Sequence, residues 1–138
     1  MGYKNPTYDI VTAWFNELDG AISVPVYKEM APNGTTGNYV IIRPESQTTS
    51  KNKGMFISTV VIIVEVVTEH KVTVNTKTVN DIDEEITEII FPTPSTHAIS
   101  LTDHKVSTIN LQTATYLLED ADKLYYSKIS RYEHFLNQ

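Results

Sequence analysis

The residues able to do acid–base or metal chemistry are few and far apart. Histidine occurs at His70, His97, His104 and His134. No pair has the HExxH or HxxxH spacing that places two ligands on one helix face. His97 and His104 share a loop region with Asp103, which allows either a weak metal site or plain solvated histidines. "DIDEE", residues 81–85, has the acid density of a calcium loop but lacks its glycine and terminal Glu spacing. It lies in a helix-periodic run, so a solvated helix face accounts for it. "APNGTTG", residues 31–37, has two glycines but no Lys-Ser/Thr ending, and reads as a turn rather than a phosphate loop. There is no GxSxG motif. There is no cysteine, hence no disulfide framework, thiolate metal site or cysteine nucleophile, and a reducing compartment is compatible. No enzymatic role, metal or cofactor is expected.

Eight tyrosines stand out, with Tyr125, Tyr126 and Tyr132 in one C-terminal run. Aromatics on a sheet can stack bases, but they need a cationic surround. Only Lys123, Lys128 and Arg131 are near in sequence. Core and subunit contacts are the plainer use of such tyrosines. An aromatic-sheet module binding nucleic acid or a small ligand stays as the alternative function. The formal charge is −6, and the 11 Lys and Arg residues form no block. A duplex-binding surface needs clustered cations to release counterions.

These residues must be positioned by one domain spanning 1–138, a length that suits a single core. "MGYKNPTYDI" shows no apolar signal region, and Pro6 breaks the myristoylation pattern after Gly2. "NPTYDIVTAWFNELDG", residues 5–20, predicts a helix with Asn5 as cap, Pro6 in the first turn and Gly20 beyond the end. Its stripe is Ile10, Val11, Trp14 and Leu18. "ISVPVYKEM" and "NYVIIRP" predict two short strands joined as a hairpin. "ESQTTSKNKG", residues 45–54, predicts a polar loop.

Next comes "MFISTVVIIVEVVTEH". It is too short for a membrane helix, which needs ~20 apolar residues, and it is rich in β-branched side chains. It predicts a long strand from about Gly54 to Thr68 with two largely apolar faces, so cover is needed on both sides. Residues 74–92 predict a second helix on Val79, Ile82, Ile86, Ile89 and Ile90. Asp81, Asp83, Glu84, Glu85 and Glu88 would lie on its wet side. A second loop around "TPSTHAISLTDH" and a closing hairpin complete the chain. The order helix, hairpin, long strand, helix, hairpin implies an α+β fold: a mostly antiparallel sheet of about five strands on two helices.

In that order, "VPVYKEMAPNGTTGNYVIIRP", residues 24–44, resembles the start of the bacteriophage tail-completion or tail-terminator family, which joins head to tail at the neck. "INLQTATYLLEDADKLYYSKISRYEHF" is similar to that family's last hairpin, so the resemblance covers nearly the whole chain. It implies a non-enzymatic virion protein, assembled in the bacterial cytoplasm. Such a protein forms a ring, hexamer or higher, at the neck or tail end, through which DNA passes. The implied partners are further copies of itself and portal, connector or tail-tube proteins, with no membrane.

In a ring, subunit contacts would be heterologous. The second face of the long strand, or its edge, would supply them, through Ile57, Val61, Ile63, Glu65 and Val67 with Phe56 near the strand's start, and with Tyr125 and Tyr132. Asp81, Glu84, Glu85 and Glu88 would face the lumen and repel phosphates. Gln47, Lys51 and Lys53 in one loop, and His97 and Asp103 in the other, would dock on partners.

Overall fold

The computed structural model describes residues 2–138. The elements are α1 (Thr7–Leu18), β1 (Val26–Lys28), β2 (Tyr39–Asn52), β3 (Met55–His70), α2 (Thr76–Ile90), β4 (Lys105–Asp120) and β5 (Leu124–Asn137). The five strands form one sheet in the order β1-β2-β3-β5-β4. All pairs are antiparallel except β1 with β2. The expected α+β architecture is therefore present.

Two sequence expectations are corrected. First, β1 and β2 are not a hairpin: Val26, Tyr27 and Lys28 pair in parallel with Val40, Ile41 and Ile42. The connection between them, residues 29–38, carries the chain back to the level at which β1 began. Glu29, Gly34 and Gly37, all at positive φ, allow its reversals. Second, residues 45–54 are not a loop. β2 continues through Ser46–Asn52 in register with Val61–Met55 of β3. Lys53 (φ 50°) and Gly54 (φ 77°) close the hairpin as a two-residue turn with both centres left-handed, the form that matches strand twist. Backbone pairing with β3, rather than the polar side chains, makes this run a strand.

α1 starts one residue later than its cap signal suggested. Pro6 occupies the cap position, while the Asn5 side chain still accepts from the Thr7 amide at 3.0 Å. α2 is capped by Asn75, whose Oδ1 accepts from the Thr78 amide at 3.1 Å. Both helices lie on one face of the sheet. Ile10, Val11, Trp14 and Leu18 of α1 and Ile82, Ile86 and Ile90 of α2 share a core with Val40, Ile42, Val60, Ile62, Val64, Val66, Tyr132 and Leu136. The helix stripes are thus buried as their spacing predicts, except Ile89, which is only partly buried.

At the centre of this core, His134 is wholly buried. Its Nε2 accepts from Trp14 Nε1–H at 2.8 Å, and its Nδ1 lies 3.1 Å from the Val60 carbonyl, which fixes the proton on Nδ1. Burial holds its pKa down at about 4, so the ring is neutral at pH 7. Trp14 also packs against Tyr132 with ring centroids 4.9 Å apart.

Candidate functional site

Strand alternation divides β3 between two environments. Val60, Ile62, Val64 and Val66 face the helices, while Ile57, Thr59, Val61, Ile63, Glu65 and Val67 face the other way. That outer face carries no helix, yet Val61, Ile63 and Val67 are only 5–7% exposed. The cover comes from neighbouring strands. Arg43 of β2 pairs with Glu65 at 2.5 Å. Glu45, at the bulge between Pro44 and Ser46, pairs with Arg131 of β5 at 2.7 Å. Since β2 and β5 flank β3, this second ion pair crosses the central strand at the level of Val61 and Ile63. The apolar surplus expected of β3 is therefore covered within the chain.

The eight residues assigned to a subunit contact divide accordingly. Tyr132 is 2% exposed and belongs to the core. Val61 and Ile63 lie at the level of the Glu45–Arg131 pair, Val67 is buried between Tyr39 of β2 and Ser127 of β5, and Glu65 pairs with Arg43. Phe56, Ile57 and Tyr125 are half-buried; Phe56 packs edge-on against Tyr3, and the Tyr125 hydroxyl donates to Glu69 at 3.4 Å. Lys123 also pairs with Glu69 and lowers its carboxyl pKa, chiefly through their hydrogen bond.

The acids of α2 are not equivalent either. Asp81 pairs with Lys77 at 2.7 Å. Glu85 accepts from both the amide and the hydroxyl of Ser23, at 2.9 and 2.7 Å, and so ties down the segment before β1. Glu84 and Glu88 point into solvent. Asp83, placed on the wet side by periodicity, is instead turned to the sheet, where it meets Lys128 at 2.8 Å. Burial works against the Lys128 charge, but the hydrogen bond and charge of Asp83 together raise its pKa. Lys128 also stands over the Tyr116 ring, and the Tyr116 hydroxyl donates to Asn80 at 2.9 Å. This cluster fastens the β4–β5 hairpin to α2.

Of the docking residues, Gln47 and Lys51 are on β2 and Lys53 is in its turn, rather than in a loop. Gln47 is engaged with Tyr3 and Thr7 of the N-terminal segment, while Lys51 and Lys53 are exposed. Asp103 is exposed in the second loop. His97 approaches the Val106 carbonyl at 3.1 Å and His104 the Lys4 carbonyl at 2.9 Å, so both histidines pin that loop. Among the described residues no group of three or more His, Asp or Glu side chains has metal-binding geometry. No helix among them is long and apolar enough to cross a membrane.

The largest feature that spacing did not single out is β4. It is the sheet's outer strand, and Asn110 to Asp120 is exposed throughout. Leu111, Tyr116, Leu117 and Leu118 are 41–55% exposed. The signal was available: from Val106 to Leu118 there is no charge and no proline, the devices that usually protect a sheet edge.

No family profile matches the chain, and no curated protein matches it in sequence. In structure it is similar to a chain of the virion of a native gene transfer agent (GTA) particle, with a TM-score of 0.66. The chain shares that chain's fold. The match covers 91% of this chain and 94% of that one at 16% identity.

Proposed function

We propose that this chain is a structural virion protein that assembles as a ring at the neck or tail end of a phage particle. There it completes or terminates the tail, or joins connector to tail, and DNA passes through the ring. The observation that carries the reading is the fold shared almost end to end with a chain of the GTA virion. The tail-terminator resemblance of residues 24–44 and of the last hairpin agrees with it. Its partners are further copies and a portal, connector or tail-tube protein, and its place is the virion, after assembly in the host cytoplasm. Lys51, Lys53 and Asp103 are the docking side chains that are exposed for such partners.

The test is native mass, measured on the protein alone and then with purified tail tubes or connectors. A closed oligomer in either setting is expected. A monomer in both, together with tight binding of a single-stranded oligonucleotide, would replace the proposal with the aromatic-sheet binding module.

In a ring whose lumen admits DNA, exposed carboxylates keep phosphates from sticking. Asp81, Glu84 and Glu88 have the exposure for this role; Glu85 is already committed to Ser23. Replacing Asp81, Glu84 and Glu88 together by lysine should leave particles intact and slow genome release several-fold in an ejection assay. Release at the wild-type rate would remove these acids from the lumen.

A further inference from the structure

The sheet has two open edges, and they match. On one side is β4. Its register with β5 shifts between Val106 and Thr108 and between Leu111 and Thr113, then runs without interruption from Thr113 to Asp120. On the other side is β1 with the residues just before it. The Val40 amide donates to the Pro25 carbonyl at 2.9 Å and the Glu29 amide to the Ile42 carbonyl at 2.7 Å, so odd-numbered residues of this strand bond towards β2. Backbone groups alternate along a strand, so those of Val26 point outward. The missing N–H of Pro25 falls on the β2 side and leaves the outer row of donors intact.

Strand direction makes the two edges compatible. β1 and β2 run against β3, β5 does likewise, and β4 runs with β3. If copies repeat side by side along the sheet, β4 of one lies antiparallel to β1 of the next. The rows can be followed across one chain: Val26 pairs with Val40, Val40 with Val66, Val66 with Lys128 and Lys128 with Tyr116. Extending that row without stagger places the next copy's Val26 beside Tyr116. Pro25 then falls beside Leu117 and Val24 beside Leu118. Inner-face residues meet inner-face residues, and apolar side chains meet apolar ones. No charged residue lies between Val106 and Leu118 or between Ala21 and Tyr27, so no like charges are opposed.

We infer that β4 of one copy adds as an antiparallel strand to the β1 edge of the next, so that the sheets run continuously around the assembly. The occupant of each edge is a second copy of this chain, whose opposite edge is the complement. The contact is heterologous, and closure into a ring covers the β1 edge of every copy and the stretch of β4 around Tyr116–Leu118. This inference rests on the ring reading above, but its test separates the two.

The absence of native cysteine gives a clean background for thiol cross-linking. Pro25→Cys and Leu117→Cys, combined in one chain, should give a ladder of cross-linked species ending at the native oligomer mass. Each single variant, and Leu117→Cys combined with Thr48→Cys on β2, should not. Leu117→Lys with Leu118→Lys, at positions 51% and 55% exposed, should leave the thermal melt unchanged and cut ring formation at least tenfold. Native rings with no cross-linking beyond the single variants would overturn the edge pairing and leave the ring in place. Normal rings from the double-lysine variant would do the same. A chain that stays monomeric, alone and with tail tubes, would overturn both.

Discussion

Trp14→Ala is expected to destabilise the fold by about 4 kcal/mol, the range for truncating a buried aromatic. Trp14 is 0% exposed and touches Phe91, Tyr132 and His134, so it ties α1 to the chain after α2 and to β5. Truncation leaves a cavity between two layers that cannot collapse, because the sheet is held by long antiparallel ladders. It also strands His134 Nε2, a buried acceptor whose one partner is Trp14 Nε1–H. An orphaned buried acceptor costs about 1–3 kcal/mol by itself. Against the usual 5–15 kcal/mol of a domain, this variant should be marginal at 37 °C.

Urea unfolding of Trp14→Ala, Trp14→Phe, His134→Leu and the Trp14→Phe/His134→Leu pair separates the two contributions. Trp14→Phe keeps most of the ring volume and loses the donor, so it should cost about half as much as alanine. Adding His134→Leu to Trp14→Phe removes both polar partners. The pair should be less destabilising than the sum of the two single changes. Strict additivity would mean that the 2.8 Å contact contributes nothing in solution.

Acid should unfold this protein earlier than its carboxylates alone would dictate. The pKa of His134 is lowered from about 6.5 in the unfolded chain to about 4 in the fold, chiefly by burial. Between those values the unfolded state binds the extra proton, so stability rises with pH. The contribution is complete above about pH 6.5. It falls by about 1.4 kcal/mol per pH unit below that and is gone at about pH 4, a total of about 3 kcal/mol. Unfolding free energies measured in urea at pH 7.5 and pH 5 should show the slope. His134→Gln should flatten it, whatever its effect at neutral pH. The difference in slope between the two proteins reports on this ring. An unchanged slope in His134→Gln would show that the buried imidazole does not control the acid limb.

The elements differ in how far local signals could reveal them. Ile10, Val11, Trp14 and Leu18 are all 0–1% exposed, because helical spacing and apolar type act through nearest turns and need no knowledge of the partner. The same holds for Val79, Ile82, Ile86 and Ile90 of α2. The strand character of β3 was equally plain, since a β-branched run has little else it can do. Site chemistry was less legible. His134 looked like any other histidine in sequence; its tautomer is fixed by Trp14, 120 residues away, together with the Val60 carbonyl, and its pKa is depressed chiefly by burial in the core.

By itself, then, the sequence determined two amphipathic helices, a long apolar strand and a closing tyrosine-rich hairpin on one sheet. Tertiary structure decided three things. It made Ser46–Asn52 a strand, because β3 offers backbone partners that outweigh polar composition. It set β1 parallel to β2, because burying Val26 beside Val40 depends on where the 29–38 connection returns. It also moved the exposed apolar surface from β3 to β4. β3 sits between two neighbours whose side chains cover it, and β4 has a neighbour on only one side. Burial depends on a strand's position in the sheet as well as on its hydrophobicity, and position is set by contacts far apart along the chain.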